Sequence, residues 1–166
     1  MRRMLVAGLL VVAAHGASLV QAQEAGIPVG VKAPVVTVRD LDGKAVDLGQ
    51  YIGKKPVFLE FWATWCELCE ELLPRVRAAK AAYGDQVEFF GVNVTVNQSR
   101  DRVRRYLEKN QPPFRTLYDE EGTSTRAYQA PATSYVVIVD RSGKIAYTGS
   151  GGAQDFDGVL RRLTQN

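Results

Sequence analysis

An apolar run that leads into a Cys-x-x-Cys pair constrains this chain most strongly. Residues Val57 to Trp62 have the composition of a strand buried on both faces of a sheet, and a helical pattern follows from about Cys66 to Tyr83. The only two cysteines, Cys66 and Cys69, stand at the junction. We therefore predict a central sheet with helices on both faces, and a pair of sulfur atoms at the start of one helix.

The position of the two cysteines indicates thiol chemistry. The first lies over a helix N-terminus, where backbone N–H groups and the helix dipole favour a thiolate over a thiol. With no other cysteine in the chain, the pair bonds to itself, binds a metal or stays reduced. A bridge that closes so short a loop restricts the unfolded chain very little. The spacing therefore favours a redox role over a structural one.

The rest of the chain alternates between strand and helix signals. The predicted order of elements is β-β-β-α-β-α-β-α-β-β-α, with a third helix whose bounds the pattern does not define. Ser99 is a predicted N-cap for the second helix. The predicted strands span 35–38, 45–48, 57–62, 87–94, 114–118, 135–140 and 144–148, and the helices with defined bounds span 66–83, 100–110 and 155–163.

The N-terminus has the pattern of a signal peptide. Arg2 and Arg3 precede an apolar run over 4–14, and small residues at 20 and 22 predict cleavage before Gln23. The alternative is an uncleaved anchor, but the run is shorter than the roughly 20 residues that a spanning helix needs. We assign 1–22 to the signal peptide and 23–32 to an N-terminal loop, and expect an exported, periplasmic or otherwise extracytoplasmic protein.

Charge and histidine content narrow the possible functions. The net charge of +3 falls to +1 without Arg2 and Arg3, so nothing in the charge balance favours nucleic acid. The single histidine, His15, lies in the predicted leader, which leaves the mature chain without a histidine metal ligand. The basic residues of 100–105 are typical of a solvated helix face. We expect no metal and no cofactor.

The segment from Phe61 to Cys69, with Pro74 five residues later, resembles the active-site strand and helix of thioredoxin-fold proteins, and most closely the exported TlpA/ResA-like thiol–disulfide oxidoreductases. The resemblance covers about 33–164. It implies an α/β thioredoxin fold over 33–166, in which helices flank a central mixed β-sheet. An N-terminal hairpin and a central strand–helix insertion complete the expected fold.

The resemblance implies a role for each residue of a redox site. Cys66 is expected to be the attacking sulfur, partly exposed, with a lowered pKa. Cys69 is expected to be the buried resolving thiol that closes a redox disulfide with Cys66. Glu60 occupies the place of a buried carboxylate that exchanges a proton with Cys69. The alternative for Glu60 is a solvent-facing position on an edge strand.

The resemblance also implies a substrate-binding rim with one departure from the family. The family places a cis-proline just before the strand predicted at 135–140, and an ungapped count puts Ser134 there. A short slip would let Pro131 serve instead. We expect Ser134 to face the cysteines, and a proline at 134 to be tolerated. The expected substrate-binding residues are Trp65, Glu67, Leu68, Thr133 and Ser134.

The implied function is reduction of disulfides in selected client proteins, in roles such as cytochrome c maturation or copper-site assembly. The implied partners are thiol- or disulfide-containing clients and an upstream electron donor at the membrane, with the protein itself a monomer. One alternative is a Cu(I)-binding chaperone, since two thiolates bind Cu(I). Another is a thiol peroxidase, although Thr64 stands too close to Cys66 for the Pro-x3-Thr-x2-Cys loop of that class. A third is a structural module whose disulfide is idle.

Overall fold

The centre of the sheet consists of strands whose side chains are all buried. The computed structural model of the protein describes residues 25–165. In β3 (Val57–Trp62) and β6 (Tyr135–Val139) every residue is buried, and the two strands pair antiparallel. On its other side β3 pairs in parallel with β4 (Glu88–Val94), as the uniformly apolar composition of β3 requires.

The remaining elements follow the predicted order along the chain. The sheet has seven strands in the order β2-β1-β5-β4-β3-β6-β7, so β3 and the site after it lie in its interior. A single 3₁₀ turn at Leu48–Gln50 follows the first hairpin. The other elements are β1 (Thr37–Arg39), β2 (Ala45–Asp47), α1 (Glu67–Tyr83), α2 (Arg100–Asn110), β5 (Arg115–Asp119), α3 (Thr123–Ala127), β7 (Ile145–Ser150) and α4 (Asp157–Thr164).

The two outer hairpins turn by the same local chemistry. In each, an aspartate Oδ1 accepts hydrogen bonds from the backbone N–H groups two and four residues on, at 2.8–3.0 Å. The aspartates are Asp40 and Asp140, and each is followed three residues later by a glycine with φ near +80°, Gly43 and Gly143. Aspartate-to-glycine turns of this kind close antiparallel hairpins without distorting the flanking strands. They fix the two ends of the sheet.

The sheet carries helices on both faces. On one face Phe58 packs against buried residues of α1 and α4, and Trp62 packs against α2. On the other face Leu59 and Phe61 pack among residues of α3, the 3₁₀ turn and the segment that precedes β1. Alternation along β3 therefore sends Glu60, with Phe58 and Trp62, to the face covered by α1. Among residues 25–165 no helix is both long and apolar enough to cross a membrane.

The α/β thioredoxin fold predicted from the sequence is confirmed. The bounds predicted for β3 and α2 are those observed, and the other predicted bounds differ by no more than two residues at either end. The third helix of the predicted order, which had no bounds, is α3. The predicted signal peptide and its cleavage site lie outside the described residues. The segment assigned as an N-terminal loop hydrogen-bonds to the sheet from Ile27 onward.

Candidate active site

The two cysteines lie where β3 passes into α1. Cys66 has extended backbone angles (φ −88°, ψ 100°) and is the N-cap of α1, with its Sγ accepting a hydrogen bond from the Cys69 N–H at 3.1 Å. Cys69 belongs to the first turn of the helix. The two sulfur atoms form a disulfide, so the structure is that of the oxidised protein. The helix dipole and the N–H donor both stabilise negative charge on the Cys66 sulfur once the bridge opens.

Solvent exposure does not distinguish the two cysteines in the oxidised protein. Cys66 and Cys69 are each 5% exposed, whereas the sequence led us to expect a partly exposed Cys66 above a buried Cys69. Apolar neighbours, including Trp62 and Ala63, pack around both residues. The asymmetry between the two sulfurs comes from their places in the helix. The Cys66 Sγ accepts a hydrogen bond from a backbone N–H group at the start of α1, whereas Cys69 lies one turn further along the helix.

Glu60 is a buried carboxyl in the interior of the sheet. It is 2% exposed, pairs with Gly91 on one side and Val136 on the other, and its Oε2 has no hydrogen-bond partner. Gly91 leaves room for the ring of Phe114, which takes the space that a side chain at 91 would fill and also packs on Trp62. The carboxyl is therefore buried in an interior strand, and the alternative of a solvent-facing edge residue does not apply.

Burial raises the pKa of Glu60 from 4.5 to about 8. The cause is desolvation, which disfavours the ionised form, and within residues 25–165 the Glu60 Oε2 has no hydrogen-bond partner to offset it. At neutral pH the group is mainly protonated. It lies on the same face of the sheet as α1, the helix that carries the cysteines at its N-terminus.

A second set of polar groups holds the loop between β3 and Cys66. The Gln98 Oε1 accepts a hydrogen bond from the Thr64 N–H at 3.0 Å, and the buried Asn93 Nδ2 lies 3.4 Å from both the Trp62 carbonyl and Gln98. The Trp65 indole N–H donates to the Val96 carbonyl at 2.9 Å. These bonds connect the cysteine loop to the end of β4 and the turn that follows it.

An exposed apolar rim surrounds the disulfide. Trp65, Leu68 and Val96 are 45%, 48% and 59% exposed, and Glu67 is also exposed. Exposed large apolar side chains grouped around a reactive bond are typical of a surface that contacts a partner. Trp65, Glu67 and Leu68 were predicted to contact substrate, and their exposure leaves them accessible for that role.

Ser134 hydrogen-bonds to the segment between the two cysteines. Its hydroxyl, fully buried, lies 3.3 Å from the Leu68 carbonyl and 3.0 Å from the Gly151 carbonyl. The buried Gln154 Nε2 donates to the carbonyls of Ser134 at 2.9 Å and Gly151 at 2.8 Å. The loop before β6, the loop after β7 and the cysteine segment are thus joined by one polar network.

Pro131 occupies a different place. It is exposed and borders a cleft with Ala25, Tyr135 and Thr148, and every peptide bond among residues 25–165 is trans. Ser134 has φ +60°, a conformation that a proline ring cannot adopt. The expectation that a proline would be tolerated at 134 is therefore wrong for this backbone. Thr133 is half-buried beside Ser134.

Three of the residues that organise the site were missed in the sequence. Asn93 had a signal, since it is a polar residue inside the otherwise apolar β4. Gln98 and Gln154 had none, because the contacts that join them to Thr64 and Ser134 span 34 and 20 positions of the chain. Among residues 25–165 no group of three or more His, Cys, Asp or Glu side chains lies close enough to hold a metal ion. Binding of Cu(I) would rest on the two sulfurs alone.

A disulfide at a helix N-terminus on a thioredoxin fold, with a carboxyl buried under the same helix, defines a thiol–disulfide oxidoreductase. Comparison with known proteins gives the same class. The chain is 32% identical over 124 residues to the thioredoxin-like protein YneN of Bacillus subtilis, covering 74% of this chain and 72% of YneN. It is 31% identical over 124 residues to the thiol-disulfide oxidoreductase ResA of Geobacillus thermodenitrificans, covering 74% and 70%.

A solved structure and a family model agree with these relatives. The crystal structure of a putative thiol:disulfide interchange protein DsbE from Chlorobium tepidum matches with a TM-score of 0.70 and 25% identity, covering 82% of this chain and 95% of that one. The model of the Redoxin family matches residues 28–161. The chain belongs to the Redoxin family, as a TlpA/ResA-like thioredoxin-fold protein.

Proposed function

We propose that this protein is an exported reductant of disulfides in selected client proteins. The observation that carries the proposal is the Cys66–Cys69 disulfide at the N-terminus of α1, together with the buried Glu60, whose pKa is raised to about 8, on the face that α1 covers. The helix N-terminus activates the Cys66 sulfur, and the Glu60 carboxyl on the face that α1 covers exchanges a proton with Cys69. ResA and DsbE, which this chain resembles, carry names that describe thiol–disulfide exchange.

The client reaction consists of two exchange steps. In the first, the Cys66 thiolate attacks one sulfur of the client disulfide, the client S–S bond breaks, and the departing client thiolate takes a proton from water. In the second, Cys69 loses its proton and attacks the Cys66 sulfur, which closes the Cys66–Cys69 bond and releases the other client sulfur. Two electrons pass from the protein's dithiol to each client disulfide.

Glu60 supplies the proton balance of Cys69. In the oxidised protein its pKa of about 8 keeps the carboxyl protonated at neutral pH. When a donor thiolate attacks Cys66 and the bridge opens, Cys69 leaves as a thiolate and takes the Glu60 proton. During the client reaction the resulting carboxylate takes that proton back. The group thus acts as acid in one half of the cycle and as base in the other.

The electrons come from a thiol donor outside this chain, and we place that donor at the membrane. The N-terminal pattern of Arg2, Arg3 and the apolar run over 4–14 supports export. In an oxidising compartment a reductant needs such a donor to stay reduced. Maturation of cytochrome c and assembly of copper sites are the client roles that we propose, and the protein would act on them as a monomer.

The experiment that tests the direction of electron flow uses the purified protein in both redox states. Reduced protein is mixed with a peptide disulfide, and oxidised protein with the same peptide as a dithiol, and the products are separated after acid quenching. The proposal expects the first mixture to go to completion and the second to stay near its starting composition. The reverse pattern would make the protein an oxidant. Cys66→Ser serves as the inactive control.

A further inference from the structure

The positive side chains of α2 form two sets with different surroundings. Arg100 and Arg104 both donate to the Leu41 carbonyl of the first hairpin. Arg100 also pairs with Glu120, which follows β5, and Arg104 pairs with Asp42 of the hairpin, each at 2.9 Å. Arg100 also stacks on the ring of Tyr118. These two arginines have a structural role, because they attach α2 to the edge of the sheet.

The second set consists of Arg102, Arg105 and Lys109, which are exposed on the other side of α2. Within residues 25–165 none of the three is paired with a carboxylate. The only hydrogen bond that their side chains make within the same residues is a long one, 3.4 Å, from Arg102 to the Asn97 carbonyl. Positive side chains that lack carboxylate partners produce a local field that favours an anionic group.

These three cations line a surface cleft beside the disulfide. The cleft has a volume of about 380 Å³, and its wall on the cysteine side includes Thr64, two residues before Cys66, and Glu70, directly after Cys69. Three positive charges face the single carboxylate of Glu70. The lining of the cleft therefore carries an excess of positive charge, and one wall of it is adjacent in sequence to the two cysteines.

We propose that this cleft, which we call the α2 cleft, binds an acidic segment of the client protein, next to the client's reactive cysteine. The proposal rests on the proposed function and names the chemistry of its substrate. An extended chain advances about 3.3 Å per residue. When the partner's cysteine is bonded to Cys66, the partner residues two to four positions from that cysteine therefore lie over the cleft. The apolar rim of Trp65, Leu68 and Val96 holds the chain near its cysteine, and the α2 cleft selects its charge.

The test compares two peptide disulfides that differ only in charge. One carries aspartates two to four positions from its cysteines, and the other carries lysines at the same places. At low ionic strength we expect kcat/KM for the acidic peptide to exceed that for the basic one by about three- to tenfold, the effect of two or three exposed charge pairs. The ratio should fall toward one as salt is added.

Two double variants with the same change in net charge identify the source of the preference. Arg105→Glu/Lys109→Glu should abolish or invert the ratio. Lys32→Glu/Lys54→Glu, whose residues lie at the opposite end of the sheet, should keep the wild-type ratio. A poorly folded variant lowers both rates and leaves the ratio unchanged, so the ratio reports the cleft rather than stability.

The possible results separate this proposal from the proposed function. Equal rates for the two peptides, or a preference that both double variants lose alike, would overturn the α2 cleft and leave the reductase function intact. Failure to reduce either peptide would overturn both. If vesicles of anionic phospholipid retain the wild-type protein while the peptide ratio stays at one, the cations of α2 bind a membrane surface and the proposal is wrong.

Discussion

Replacing Glu60 by glutamine should remove a large pH dependence from the stability of the oxidised protein. The folded-state pKa of Glu60 is about 8, against 4.5 in the unfolded chain. Between these two values the unfolded carboxyl has lost its proton and the folded one has kept it. The folded state then binds more protons than the unfolded state, so the free energy of unfolding falls as the pH rises.

The magnitude follows from the width of that interval. Each pH unit costs about 1.4 kcal/mol, so the contribution is fully present below pH 4.5, has fallen by about 3 kcal/mol at pH 7 and by about 4 kcal/mol at pH 8. Above the folded pKa both states are ionised and the loss stops. Glutamine does not ionise, so Glu60→Gln should become the more stable protein, relative to wild type, as the pH rises.

The assay is urea unfolding of the oxidised wild type and of Glu60→Gln at several pH values between about 5 and 8. The quantity of interest is the difference in unfolding free energy between the two proteins, because all other titrating groups are common to both. Glu108→Gln, which removes an exposed carboxylate of α2, is the matched control for the loss of one carboxyl group. A constant difference for Glu60→Gln would refute the assignment of a buried, protonated carboxyl.

Further predictions concern the cysteines and the loop around Ser134. With limiting alkylating agent, Cys66 of the reduced protein should react before Cys69, and Cys69→Ser should trap mixed disulfides with clients while Cys66→Ser should not; faster labelling of Cys69 would reverse the roles. Glu60→Gln should slow disulfide exchange near neutral pH in a folded protein, and an unchanged rate–pH profile would leave Glu60 with no part in proton transfer. Ser134→Ala removes a buried hydroxyl that bonds the Leu68 and Gly151 carbonyls and should cost about 1–2 kcal/mol in urea unfolding. Ser134→Pro should cost more, because φ +60° excludes proline; equal stability to wild type would mean that the loop rearranges.

Elements with strong local signals could be predicted from the sequence. The bounds of α2 follow from the Ser99 cap, whose hydroxyl accepts the Arg102 N–H, and from Pro112, which cannot continue a helix. β3 was recognisable because its side chains are apolar along its whole length apart from Glu60. Each outer hairpin turn has an aspartate and a glycine three residues apart, which is a local turn signal. In each case the deciding residues are neighbours in the chain.

Features that lack an apolar period or depend on distant residues could be predicted only in part or not at all. The third helix was predicted without bounds, because the five residues of α3 lack an apolar period and the helix is held by Asp119, whose carboxylate accepts hydrogen bonds from Ser124 and Thr125. The equal burial of Cys66 and Cys69 results from side chains of four different elements. The positive φ of Ser134 accompanies a network with Gln154 that no local pattern encodes.

The reduction potential of the Cys66–Cys69 couple tests the central claim most directly. The oxidised and reduced forms are equilibrated with dithiothreitol or glutathione buffers of known ratio, and the fraction of bridged protein is read by mass after alkylation. A client reductant should have a potential nearer the roughly −270 mV of thioredoxin than the roughly −120 mV of strongly oxidising members of the fold. A value close to −120 mV would contradict the account, because electrons would then flow from clients to this protein.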